Sequence, residues 1–150
     1  MTRLLALPLA ALALGAGAPP ASEVDGASVT VTITELRNAK GVIRACMTTQ
    51  EKSFPKCRGV AGAHAAKVAA HEGSVTLTFE GVKPGHYAIA LLHDENDNGK
   101  ADRALGMMPK EGFGFSRDAK VRMGPPKFSD AVFELGEDDK ALTIRMRYML

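Results

Sequence analysis

The sequence predicts an all-β fold, an antiparallel β-sandwich of about seven strands with an immunoglobulin-like or transthyretin-like architecture. Short apolar segments alternate with polar residues at a period of two, as in strands with one buried face. Turn residues separate these segments, and no long helical pattern follows residue 22. A charged fraction of 24% is that of an ordinary globular chain, which excludes a disordered or coiled-coil protein.

The strand pattern recurs along the chain. It is found at 29–34, 42–46, 75–79, 87–91, 132–135 and 142–148. Segment 87–91 is apolar on both faces, which predicts a central strand that is covered on both sides. An acidic turn at 136–139 joins the last two segments. Residues 61–70 are rich in alanine and fit a short helix or an edge strand equally well.

The N-terminus predicts export. Arg3 precedes an apolar run at 4–14, and small residues and prolines follow it, which is typical of a secretory signal peptide over residues 1–21. The alternative, a buried helix, lacks an amphipathic pattern. The cleavage position stays open, because a cut after Ala18 leaves Pro19 at the new terminus. We therefore expect a periplasmic or secreted protein, with residues 22–150 as one domain and no membrane-spanning segment after cleavage.

Charge and cysteine content narrow the classes of partner. A formal net charge of +2 gives no electrostatic footprint for a nucleic-acid binder. Two cysteines cannot build a Cys-only metal site. In an oxidising compartment, Cys46 and Cys57 are expected to form a disulfide bond. A nucleophilic thiol would need a nearby base, which the sequence does not indicate.

One segment has the spacing of a metal-binding loop. Counting from Asp94, side chains with oxygen atoms fall at positions one, three, five and nine, which are Asp94, Asn96, Asn98 and Asp102. Gly99 stands at position six, where a calcium loop turns sharply, and Lys100 at position seven would offer its backbone carbonyl. This spacing predicts a calcium site. Magnesium, which requires stricter octahedral geometry, is the poorer candidate.

The match to a calcium loop is incomplete. Position twelve is Leu105, where the helix-loop-helix form has a bidentate glutamate. Glu111 is a possible additional ligand from a later segment. The alternative is a solvated turn without an ion, because Asp, Asn and Gly are turn residues in their own right.

Four ordered motifs resemble a known bacterial family. They are PGHYA at 84–88, HDENDNGKAD at 93–102, GMMPKEGFGFS at 106–116 and GPPKFSDA at 124–131. Together they resemble DUF2141, an uncharacterised family. The resemblance implies an exported β-sandwich of one domain and no established activity. The Asp-rich loop is also similar to those of calcium-bearing sandwich repeats in bacterial surface adhesins, a likeness at the level of the fold.

Three classes of function compete. The leading interpretation is a calcium-stabilised envelope module that binds a protein or a glycan. Exposed aromatics in the long segment after residue 106 would give it a possible binding face, at Phe113, Phe115 and Phe128. The alternatives are a periplasmic, hydrolase-like enzyme that uses the loop face 93–130, and a purely structural accessory domain. An enzyme would gather His93, Glu111 and Ser116 in one pocket, but no nucleophile motif is present and we assign no catalytic residue.

Overall fold

The computed structural model describes residue 17, residues 25–104 and residues 106–150. The predicted signal peptide over residues 1–21, apart from Gly17, lies outside the described residues. The described chain is nearly all β, with sheets packed against each other, which confirms the predicted β-sandwich. No helix among the described residues is both long enough and apolar enough to cross a membrane.

Ten strands lie in the described residues. They are β1 (Ala27–Leu36), β2 (Val42–Thr48), β3 (His64–Ala69), β4 (Gly73–Val82), β5 (Gly85–Asp94), β6 (Arg103–Ala104), β7 (Met108–Pro109), β8 (Gly112–Phe115), β9 (Phe133–Leu135) and β10 (Lys140–Arg145). Short 3-10 turns occupy Glu51–Ser53 and Ser116–Asp118, and one short helix, α1, spans Phe128–Ala131. The alanine-rich segment 61–70 contains the edge strand β3, not a helix.

The first sheet has the order β10-β1-β4. Val29, Val31 and Ile33 on β1 are fully buried, while the threonines between them are half-buried on the other face. Strands β1 and β4 are antiparallel, but β1 and β10 run parallel, so the sandwich is not antiparallel throughout. The reason is that β9 pairs with β5 in the other sheet, and the chain crosses between sheets at 136–139 before β10 begins.

The second sheet has the order β3-β2-β5-β8, and β9 also pairs with β5. As predicted, β5 is central and covered on both faces. On one face Ile89 and Leu91 join the main core between the sheets. On the other, Ala88 belongs to a second core with Phe115 and Ala131. Residues 116–131, which follow β8, thus form a cover over the outer face of this sheet.

Strand β8 was not predicted. Its sequence, Gly-Phe-Gly-Phe, contains two residues that weaken a strand pattern. Packing explains both glycines: a Cβ on Gly112 would collide with the Tyr148 ring, and one on Gly114 would lie 3.0 Å from Ile144 Cγ2. The glycines therefore allow β8 to approach the end of the other sheet closely.

Cys46 and Cys57 are at disulfide distance, with an Sγ–Sγ separation of 1.98 Å. Both residues are buried, and no free cysteine occurs in the described part of the chain. Cys46 lies on β2, so the bond fastens the segment that follows this strand to the sheet. The pair fits the oxidising compartment that the sequence predicts.

We predict that replacing both cysteines with alanine lowers the free energy of unfolding by about 2–3 kcal/mol, because the short loop is no longer closed in the unfolded chain. Urea unfolding of the double variant and the wild type measures the difference. As a control, a thiol reagent applied to unfolded, unreduced wild type should label nothing. Labelling of two cysteines per chain would contradict the disulfide.

Candidate functional site

The 94–102 loop begins where β5 ends, and the Asp94 side chain forms its base. This carboxylate is fully buried. Its Oδ2 atom accepts hydrogen bonds from Arg44 Nε at 2.6 Å and from the Gly99 N–H at 2.8 Å. Its Oδ1 atom accepts one from the Asn98 N–H at 3.1 Å. Asp94 therefore fixes the turn of the loop through backbone amides and is neutralised by a cation of the chain itself.

Arg44 comes to this position because β2 is paired with β5. Its guanidinium bridges two carboxylates, Asp94 at the base and Asp97 Oδ1 at 2.5 Å. Burial raises the pKa of Asp94, but the hydrogen bonds from Arg44 and from the Gly99 and Asn98 amides outweigh it. The pKa of Asp94 therefore lies below its usual range, and the group stays ionised at neutral pH.

The outer side of the loop brings three of the predicted ligands together. The amide nitrogens of Asn96 and Asn98 lie 2.8 Å and 2.9 Å from Asp102 Oδ2. The Oδ1 atom of Asn96 accepts a hydrogen bond from the Asn98 N–H, and that of Asn98 accepts one from the Lys100 N–H. The predicted set thus divides in two, with Asp94 buried against Arg44 and the other side chains at the exposed surface.

Glu111, the possible additional ligand, fastens both ends of the loop. It is 5% exposed, and its two oxygen atoms accept the N–H groups of Glu95 and Asp102, each at 3.1 Å. Burial raises the pKa of Glu111 above its usual value, and the hydrogen bond from Asp102 offsets this only in part. Glu111 therefore holds the two ends of the loop together through hydrogen bonds to its backbone.

Three of the predicted ligands, Asn96, Asn98 and Asp102, form the outer cluster of the loop. Within residues 25–104 and 106–150, no three His, Cys, Asp or Glu side chains are grouped so that they could hold a metal ion. The outer cluster contains one carboxylate and two amides, and amide oxygens are acceptable calcium ligands. To bind an ion, the Asn96 and Asn98 amides would have to turn their oxygen atoms towards Asp102. Leu105, at position twelve, lies outside the described residues.

His93 has a structural role that the sequence did not indicate. It is fully buried, with Nδ1 at 2.7 Å from the Tyr148 hydroxyl and Nε2 at 2.7 Å from the Lys40 carbonyl. Because a carbonyl only accepts, Nε2 donates to Lys40 and Nδ1 accepts from Tyr148. Arg37 stacks on the Tyr148 ring at 4.4 Å and pairs with Glu95. Both ring nitrogens of His93 are thus occupied.

Ser116 is likewise used inside the fold. Its hydroxyl is fully buried, donates to the Ala131 carbonyl at 2.5 Å and accepts the Ile89 N–H at 2.9 Å. It therefore connects the 116–131 cover to the central strand. No hydrogen bond joins any two of His93, Glu111 and Ser116; each is bonded to the backbone at a different place.

The three aromatics of the expected binding face lie in the second core. Phe115 is only 7% exposed, and Phe113 and Phe128 are half-buried. Their rings contact neighbouring aromatics, such as Phe54, which lies 5.9 Å from Phe115 and 6.1 Å from Phe128. Phe115 is therefore unavailable to a partner, and Phe113 and Phe128 are only partly exposed.

The fold and the loop define an all-β sandwich protein with an ordered, Asp-rich loop at the end of a central strand. A family profile described as "Uncharacterized protein conserved in bacteria (DUF2141)" matches residues 31–143. The chain belongs to this family, as its motifs predicted. No curated protein and no solved structure matches the chain.

We predict that Asp94→Asn lowers the free energy of unfolding at neutral pH by about 1.5–3 kcal/mol, as expected for hydrogen bonds to a charged group. The folded-state pKa of Asp94 is depressed, so its contribution is present above the usual carboxyl pKa and is lost as pH falls through the folded value. Urea unfolding from pH 7 down to pH 2 should show the gap to wild type closing. Asp138→Asn, in the exposed 136–139 turn, is the control. A gap that is constant with pH would contradict this role.

We also predict that Glu111→Ala loosens the loop without opening the core. The N–H groups of Glu95 and Asp102 lose their acceptor, so their hydrogen exchange should accelerate about tenfold to a hundredfold. The Ile89 amide, held by Ser116, should be unchanged. Glu134→Ala on β9, an exposed site, serves as the control and should leave all three amides as they are. Equal acceleration throughout β5 would mean that Glu111 supports the whole fold instead.

Proposed function

We propose that the protein is an exported binding module of the bacterial envelope. Its 94–102 loop holds a calcium ion on the outer side, and its partner is an envelope protein or a glycan. The observation that carries the ion is the convergence of Asn96, Asn98 and Asp102 on one exposed point. The disulfide-bonded cysteine pair supports the exported location.

The charge balance makes this a weak site. Arg44 compensates Asp94 from within, so the outer cluster has only the Asp102 carboxylate to attract an ion. Calcium loops with few charged ligands bind in the range of about 0.1–1 mM, which is typical of extracellular modules. Such a site would be filled outside the cell.

A hydrolase-like activity has less support. The side chains that would serve as base, acid and nucleophile are His93, Glu111 and Ser116, and all three are buried and hydrogen-bonded to the backbone. A nucleophile needs a base within hydrogen-bond reach. The partner of the Ser116 hydroxyl is the Ala131 carbonyl, which cannot remove its proton.

Thermal unfolding in chelator and in about 10–100 mM calcium, a hundredfold excess over the expected Kd, tests the ion. The protein used is residues 22–150, which contain all the described strands. Calcium at a hundredfold excess over Kd stabilises the native state by about 2.7 kcal/mol. We therefore expect Tm to rise by about 5–10 °C. Magnesium at the same concentration should do much less.

Asp102→Asn should remove the response to calcium. It is a sharper test than a change at Asp94, because Asp94 also neutralises Arg44. Asp138→Asn removes the same charge elsewhere and should respond as wild type does. If the wild-type unfolding curves in chelator and in calcium superimpose, the loop is an ordered turn that binds no ion, and the calcium proposal is wrong.

The same preparation of the protein can distinguish a protein partner from a glycan partner. Immobilised residues 22–150 would be incubated with envelope extract that has been treated with protease or with a glycan-cleaving enzyme. A glycan partner survives protease and is lost with the glycan, and a protein partner behaves in the opposite way. Retention that survives both treatments would contradict both partners.

A further inference from the structure

A groove lies in the 116–131 cover, away from the 94–102 loop. Four cationic side chains line it, and we call it the cationic groove: Arg117, Lys120, Arg122 and Lys127. Its volume is about 660 Å³, large enough for a small ligand or a lipid headgroup.

None of the four cations forms an ion pair within residues 25–104 and 106–150. Two acidic side chains also line the groove, but both are used by the backbone. Asp118 Oδ1 accepts the Arg145 N–H at 2.9 Å, and Asp130 Oδ2 accepts the Lys127 N–H at 3.0 Å. Both carboxylates keep their negative charge, so the groove has four cationic side chains against two acidic ones, and its excess of charge is positive.

The base of the groove is held in place. Ser116 joins the segment to Ile89 on β5, and Arg147 donates hydrogen bonds to the carbonyls of Asp118 and Ala119. The φ angles of Arg117 and Asp118 are 58° and 49°, in the left-handed region that costs an ordinary residue free energy. The fold thus keeps a strained turn that directs Arg117 outwards, where it is exposed.

An apolar side chain stands on the rim of the same groove. Met123 is fully exposed, between Arg122 and the Gly124-Pro125-Pro126 turn. A soluble anion would gain nothing from a methionine in water, whereas a membrane surface combines anionic headgroups with an apolar layer beneath them. We propose that the cationic groove docks the protein on a lipid surface that carries anionic headgroups, with Met123 entering the interface. This inference does not depend on calcium.

Co-sedimentation with lipid vesicles tests the proposal, again with residues 22–150, which exclude the apolar run at 4–14. The probe is phosphatidylcholine vesicles containing about one third phosphatidylglycerol, compared with pure phosphatidylcholine. Binding should require phosphatidylglycerol and fall as salt is added. Each cation near an anionic surface contributes about fivefold in affinity, so changing all four to glutamine should weaken binding several-hundredfold.

A matched variant distinguishes binding through the groove from nonspecific electrostatic attraction of the whole protein to the vesicles. Changing the exposed Lys52, Lys56, Lys67 and Lys83 to glutamine removes the same charge outside the groove. It should bind almost as wild type does. An equal loss in both quadruple variants would overturn the docking site. If the groove variant fails to fold by circular dichroism, Lys120→Gln with Arg122→Gln, both exposed, should still weaken binding about 25-fold.

Met123→Ser distinguishes a lipid surface from a soluble anion. Docking predicts that this variant loses about tenfold in vesicle affinity without any change in charge. Inorganic phosphate and heparin are the competing probes. If Met123→Ser binds vesicles as wild type does, and heparin binds the groove more tightly than the vesicles do, the groove is a site for soluble polyanions and the proposal is wrong.

Discussion

The two apolar faces of β5 are the constraint on which the rest of the structure depends. Burial of apolar surface stabilises a fold by about 25 cal/mol per Å², so neither face can be left in water. The first sheet covers one face and forms the main core. The 116–131 cover lies on the other, where Ala131 packs in one cluster with Ala88 and with Phe115 of β8. The long connection that suggested a flexible functional loop is thus largely a second hydrophobic layer.

This layer also determines which polar groups are available for chemistry. Ser116 and Glu111 lie at either end of β8, where the cover meets the central strand. A buried polar group has to be hydrogen-bonded, and both side chains satisfy backbone N–H groups that would otherwise be unpaired. Their polar atoms are therefore occupied in holding β5, the loop and the cover together. What remains exposed are the outer cluster at Asp102 and the cationic groove.

Regular local patterns in the sequence were sufficient to predict much of the fold. The alternation at Val29, Val31 and Ile33 predicted β1, and the two apolar faces of 87–91 predicted a central strand. Strand β8 could not be predicted in this way, because the need for its glycines arises from the Tyr148 and Ile144 side chains, which are distant in sequence. The parallel pairing of β1 with β10 also depends on a crossing between sheets, which strand periodicity does not encode.

The candidate site, like the fold, could be predicted from the sequence only in part. The spacing of Asn96, Asn98 and Asp102 predicted that these side chains would meet, because alternate residues of such a loop point the same way. It could not predict Arg44, which is 50 residues from Asp94 in sequence and reaches it only through the pairing of β2 with β5. The Arg44 guanidinium therefore binds Asp94, the carboxylate at the first position of the predicted ligand set. The consequence is a loop whose turn is ordered by hydrogen bonds from the chain itself.

The outer cluster at Asp102 and the cationic groove are connected to β5 at different points. Asp94 ends β5, whereas the cover that forms the cationic groove is fastened through Ser116 to Ile89. Five residues of extended chain separate these points, a distance of roughly 16 Å. The Debye length at physiological ionic strength is about 8 Å, so exposed charges separated by that spacing are largely screened from each other. Neutralising Asp102 with an ion should therefore leave the attraction of the groove for anions unchanged, and the two features can act independently.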